Sequence, residues 1–303
     1  MDLSAGQSRS YKLYPTRAAI PIGGTDTAFL IPKGGTAMRP VDFHLHCDAS
    51  EDSDAPIQTM CEAALRAGLA AVAITDHAEM VRYREGGYDL TVAQSWKQSG
   101  EMAEAYAGRL RVARGVELGE PLYDLATAES ILRDHNYDFV LGSIHKLGDD
   151  VDYYEYDYSH RDVGESMDLY FDAVLELARW GRFHSLAHLT YPFRYMPADK
   201  RPADYRRWAE RIDAILRTLA QKGLALEINT SGLRQAIRLT SPDYPLVRRF
   251  REVGGELITV GSDAHEPANV GAGIPEALAI ARQAGFRDIA VFFAGKPEMR
   301  RID

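Results

Sequence analysis

Cysteine is nearly absent: Cys47 and Cys61 are the only two in 303 residues. Two thiols cannot build a disulfide framework or a cysteine-rich zinc site, and their scarcity suits a reducing cytoplasm, the expected compartment. Also missing is any run of about 18 apolar residues that could cross a membrane, and the N-terminus lacks the basic start and apolar stretch of a signal peptide. Basic charge is in deficit, with 35 Lys and Arg against 44 Asp and Glu, a formal net charge of −9. That balance argues against general affinity for nucleic acid or anionic membrane and leaves a small molecule as the expected partner. No Gly-x-Gly-x-x-Gly opens a helix after the first strand and no P-loop occurs, so no nucleotide cofactor is expected.

What is present is a chain 46% hydrophobic and 26% charged, long enough to bury a sizeable core. Residues 1–40 are rich in Gly, Thr, Ser and Pro and read as an arm, with one or two strands around Gly23-Gly24. From residue 41 onward strand and helix patterns alternate. Strands are expected near 41–46, 70–75, 111–117, 138–142, 184–188, 224–228 and 257–261. Helices are expected near 56–67, 91–108, 126–134, 163–180, 202–222, 243–253 and 274–284. Ile289 to Phe293 is either an eighth strand or a cover for the barrel. Such alternation implies a parallel sheet, and seven or eight units imply closure into a barrel, one α/β domain over 41–303.

His44 and His46 stand two apart on the first strand and therefore share a face, so two imidazoles aim at one point. Downstream, one apolar run after another ends in a ligand type: Thr75-Asp76-His77, Glu117, Gly142-Ser143-Ile144-His145, His188, Glu227-Ile228-Asn229 and Ser262-Asp263-Ala264-His265. A barrel gathers its C-terminal strand ends at one mouth, where residues as distant in sequence as His44 and His265 meet. Imidazoles with carboxylates suit zinc, manganese or iron, and a carboxylate such as Glu117 can bridge two ions.

In their order and spacing these motifs, extended by Thr230-Ser231-Gly232-Leu233-Arg234, resemble the polymerase and histidinol phosphatase (PHP) superfamily, specifically the monofunctional histidinol-phosphate phosphatase type. The resemblance covers residues 41–293 and implies a distorted seven-stranded TIM-like β/α barrel, the arm standing outside it as an N-terminal extension. It implies two or three divalent ions. His44, His46, Glu117 and Asp263 would hold the first, Glu117 with His145 and His188 the second, and His77 with His265 and an acidic residue of the 48–54 loop the third. Asp52 stands at the matching position, with Asp48 and Asp54 as alternatives.

The implied reaction is hydrolysis of L-histidinol phosphate by in-line attack of a metal-bridging hydroxide, since clustered cations make hydroxide available near neutral pH and neutralise phosphate charge. Asp76 and His265 are candidate proton donors to the leaving alkoxide. Arg194 and Arg234 follow ligand-bearing strands and could fork onto phosphate oxygens, with Ser143 and Lys146 as further phosphate contacts. Glu227 is expected to orient ligands by hydrogen bonds. The segment Tyr153-Tyr154-Glu155-Tyr156-Asp157-Tyr158 either covers a barrel end or forms a lid suited to an imidazole and an ammonium group. The competing readings are the same centre acting on a nucleotide or sugar phosphate, a non-catalytic metal-binding module, and a metal-dependent amidohydrolase. A homo-oligomer is left open.

Overall fold

The computed structural model describes residues 39–146 and 151–302. The arm expected over 1–40 lies outside them apart from its last two residues. Seven strands run parallel: β1 (Val41–Leu45), β2 (Ala71–Ile74), β4 (Arg111–Gly119), β5 (Phe139–Ser143), β6 (Ser185–Leu186), β7 (Ala225–Asn229) and β8 (Ile258–Gly261), neighbours in that order. β3 (His77–Glu79) resumes β2 after a two-residue break and pairs with the upper half of β4, His77 opposite Glu117. The ring closes beyond β8, where the Asp263 amide donates to the His44 carbonyl at 2.8 Å and the His46 amide to the Ala264 carbonyl at 3.0 Å. The result is the distorted α/β barrel that the strand count implies.

Helices α1 (Ile57–Arg66), α2 (Tyr88–Ala105), α3 (Leu125–Asp134), α4 (Val163–Trp180), α5 (Ala209–Lys222), α6 (Tyr244–Glu252) and α7 (Ile274–Gln283) are the seven expected. Asp124 and Asp162 cap α3 and α4, their side chains accepting from the Thr127 amide at 3.1 Å and the Glu165 amide at 3.0 Å. α5 begins later than its periodicity suggests. Asp204 draws the Arg206 amide to its own carboxylate at 3.0 Å, a local bond that competes with the helix, and one 3₁₀ turn, Arg206–Trp208, precedes α5.

The run expected as an eighth strand or a cover is a cover: β9 (Asp288–Phe293) pairs antiparallel with β10 (Lys296–Arg301) and joins no barrel strand. The hairpin packs at the N-terminal end of the barrel, Phe293 5.9 Å from Phe43 and Phe292 5.3 Å from Phe139 between ring centroids. His184 stacks there on Phe139 and accepts from the Val140 amide at 2.8 Å, at the end away from the ligand-bearing strand termini. Among the described residues no helix is long and apolar enough to cross a membrane.

Candidate metal centre

The C-terminal strand ends surround a cavity of about 580 Å³ whose lining includes Asp52, His77, Glu79, Glu117, His145, His188, Arg194, Arg234, Asp263 and His265. Beneath it His44 and His46 present their Nε2 atoms 3.0 Å apart. Glu117 reaches both, its Oε2 2.9 Å from His44 and 3.5 Å from His46, and Asp263 Oδ1 lies 3.7 and 3.6 Å from the same two nitrogens. The other Glu117 oxygen sits 2.8 Å from His188 Nε2 and 3.2 Å from His145 Nε2. Glu117 is thus placed as a bridge between two groups of imidazoles.

On the open side, Asp52 Oδ2 approaches His265 Nε2 at 2.9 Å and its Oδ1 lies 3.8 Å from His77 Nε2. Of the three carboxylates considered in this loop, Asp52 is the one that meets both histidines; Asp48 and Asp54 are exposed and do not line the cavity.

The backbone is shaped around these donors. His188 and Asp263 sit at φ +23° and +55°, a region side-chain-bearing residues rarely enter, and each stands two residues beyond the end of its strand. A Cβ on Gly261 would come within 2.3 Å of His44 Cβ and 2.5 Å of Glu227 Oε1, so only glycine lets β8 pass this close to the first histidine. Glu227 is the orienting residue expected of it. It accepts from His44 Nδ1 at 2.7 Å, the His188 amide at 2.8 Å and Asn229 Nδ2 at 3.2 Å.

Burial disfavours charge on Glu117, yet His44, His145 and His188 outweigh it and hold its pKa well below the usual range. Asp263 likewise stays ionised against burial because His44, Arg194 and His265 surround it. Burial also opposes charge on His44, but Glu227, Glu117 and Asp263 raise its pKa well above normal. Burial and the neighbouring histidines push His46 the other way. The carboxylates keep their charge in a buried setting, and the imidazoles beside them compete for the few protons that balance it.

Among the described residues, four groups of three side chains bring donor atoms within 4.8 Å of one another: His44, His46, Asp263; His44, Glu117, His188; His46, His77, His265; and His77, Glu79, His145. A donor set of imidazole nitrogens and ionised carboxylates in a cavity fits divalent cations of the zinc, manganese or iron type.

Two candidate residues are placed elsewhere. The Asp76 carboxylate is buried and absent from the cavity lining, contrary to a role as proton donor. It accepts from the Cys47 amide at 2.7 Å, Cys47 Sγ at 3.0 Å, Ser50 Oγ at 2.8 Å and Ser95 Oγ at 2.5 Å. Asp76 braces the loop after β1, and Ser50 in turn meets His46 Nδ1 at 3.1 Å. The Cys47 thiol accordingly faces away from His46, as the strand alternation requires. Ser143 is also turned from the cavity, its hydroxyl donating to the Leu118 carbonyl at 3.3 Å.

Both arginines reach the mouth. Arg194 is buried, donates from Nη1 to Asp263 Oδ2 at 2.8 Å and to Ser231 Oγ, and lies over the Tyr191 ring. Arg234 donates from Nη2 to the Ser262 and Asp263 carbonyls at 2.8 and 3.3 Å, while its buried Nη1 has no protein partner. Lys146 lines the cavity as well. The tyrosine-rich segment divides its labour: Tyr153 and Tyr158 are buried anchors, whereas Tyr154 and Glu155 line the cavity beside Asp152.

Glu79 and Glu120 were missed by the sequence reasoning, although both are buried beside the ligands. Glu79 is two residues from His77 and so shares its face, the same logic that singles out His44 and His46. It is hidden because a three-residue strand carries too little pattern to be recognised.

The sequence model of the PHP domain matches residues 42–231. A probable histidinol-phosphatase of Deinococcus radiodurans is 31% identical over 254 residues, covering 82% of this chain and 95% of that protein. The histidinol-phosphatase of Lactococcus lactis subsp. lactis is 27% identical over 84% of this chain and 95% of its own length. The crystal structure of histidinol phosphate phosphatase from Lactococcus lactis, complexed with zinc, L-histidinol and phosphate, matches with a TM-score of 0.76 at 25% identity, covering 86% of this chain and 99% of that one. A structure from Listeria monocytogenes at 18% identity and a TM-score of 0.66 shares the fold.

Proposed function

The chain belongs to the PHP domain family, and from that membership we propose that it is a phosphomonoesterase that hydrolyses L-histidinol phosphate to L-histidinol and phosphate with the help of divalent metal ions. The observation that carries this reading is the meeting, in one cavity, of a cluster of imidazoles and carboxylates with two cavity-facing arginines. The relative that resembles it over 86% of the chain binds zinc, L-histidinol and phosphate.

His44, His46, Glu117 and Asp263 would hold one ion, Glu117, His145 and His188 a second, and His77, His265 and Asp52 a third. Bound there, such cations supply Lewis acidity and make water acidic enough to yield hydroxide near neutral pH. Arg234 offers Nη1 to the phosphate, and Arg194 braces Asp263 while its face lies against Tyr191. Both place positive charge beside the site where the equatorial oxygens of the transferring phosphoryl group would lie. His265 would serve as ligand rather than proton donor, because an imidazole nitrogen held on a cation would have no proton to give. Tyr154, Glu155 and Asp152 line the same cavity and would offer aromatic and acidic groups to the amine and imidazole of the substrate.

The test is phosphate release from histidinol phosphate before and after the metals are stripped with a chelator and restored with zinc, manganese or iron. Loss on stripping and recovery on restoration are expected. Full turnover by metal-free protein would overturn the reading.

A further inference from the structure

We propose that Glu79 is the positioning residue of this centre: one oxygen of its carboxylate engages Nδ1 of both His77 and His145 and so turns the Nε2 atoms of both rings toward the ions. The inference rests on the metal-centre reading above. Glu79 Oε1 is hydrogen-bonded to His145 Nδ1 at 3.0 Å, and it lies 3.1 Å from His77 Nδ1, an ion-pair approach without hydrogen-bond alignment at a nitrogen that also stands 3.6 Å from Glu117 Oε2. The opposite nitrogens face other donors, His145 Nε2 at 3.2 Å from Glu117 and His77 Nε2 at 3.8 Å from Asp52. A carboxylate that accepts a hydrogen bond from a protonated Nδ1 fixes the tautomer and ring angle and makes Nε2 the better ligand. The two rings belong to different ion positions, so a single side chain sets the geometry of both.

The surroundings are built for that carboxylate. Gly119 lies opposite Glu79 in the β3–β4 register, and a Cβ there would stand 2.3 Å from Glu79 Oε2. Any other residue would displace the carboxylate. Glu120, at φ +47°, backs the same region: its Oε1 accepts from the Lys146 amide at 2.9 Å and from the His145 amide, tying the His145 backbone as Glu79 ties its ring. The arrangement fastens His145 at two points.

Glu79→Gln keeps the shape and removes the charge. The experiment compares zinc retention of wild type and variant by elemental analysis during dialysis against graded chelator. It also records the histidine ring nitrogens of zinc-loaded wild type by NMR on ¹⁵N-histidine-labelled protein. The expected results are roughly 10–100-fold weaker retention in the variant and protonated Nδ1 atoms on His77 and His145 in the wild type. Equal retention in both proteins would overturn the positioning role. So would NMR showing zinc on Nδ1 of either ring, which would make Glu79 a direct ligand. Wild type that binds no zinc would instead refute the metal-centre reading. Should the variant fail to fold, the wild-type spectrum decides alone.

Discussion

Arg234 permits a quantitative expectation. Its Nη2 is committed to the Ser262 and Asp263 carbonyls, which leaves Nη1, buried and without a protein partner, as the group free to meet phosphate. Burial lowers the pKa of this guanidinium, the signature of a cation partly stripped of water, so an anion that replaces the lost hydration binds strongly. A hydrogen bond to a charged group contributes about 1.5–3 kcal/mol. With one nitrogen available, Arg234→Ala should lower kcat/KM for the phosphoester by roughly 10–150-fold. Inhibition by inorganic phosphate should weaken as well. Arg234→Lys should fall between, because a lysine keeps the charge but cannot hold two carbonyls and a phosphate together. The assay is steady-state phosphate release at matched metal content, since loss of the carbonyl anchors could disturb Asp263. A fall of less than about threefold at equal metal loading, with phosphate inhibition unchanged, would refute the assignment.

Three further outcomes follow from the packing. Burial lowers the His184 pKa to about 4, so the folded protein resists protonation there while the unfolded chain titrates near 6.5. Stability from this group is whole above pH about 6.5 and is lost as pH falls toward 4, by about 2 kcal/mol at pH 5. His184→Asn should therefore flatten the decline of Tm between pH 7 and 5, and parallel curves for the two proteins would count against it. Asp76→Asn should destabilise the fold by about 1–3 kcal/mol in denaturant titration, because the amide turns donors toward groups that already donate; an unchanged midpoint would show that Asp76 is no brace. Ser143→Ala should leave kcat/KM within about threefold at equal metal content, and a larger loss would return that hydroxyl to the phosphate site.

Much of the architecture is legible because the barrel writes itself into the sequence twice, as alternating periodicities and as apolar runs that end in ligand types. The pair His44 and His46 shows why: strand alternation alone places both imidazoles on one side, and the structure brings their Nε2 atoms to 3.0 Å. Loops and short strands carry no such period. In the sequence only its position in the motif favours Asp52 over Asp48 and Asp54; the fold of the 48–54 loop supplies the physical reason by setting its two oxygens toward His265 and His77. Glu79 sits on a strand too short to announce itself. Asp76 misleads for the opposite reason, since adjacency to His77 in sequence puts it on the other side of the chain, among the Cys47, Ser50 and Ser95 donors. Ser143 is misplaced by the same reasoning, two residues from His145 but at the point where β5 ends and alternation stops.

The most direct measurement is kcat/KM for histidinol phosphate against a panel of nucleotide and sugar phosphates, using protein whose metal content has been counted. The account predicts a preference of ~100-fold or more, about 2.7 kcal/mol of transition-state discrimination. Equal or faster turnover of another phosphoester, or no turnover at full metal loading, would contradict it.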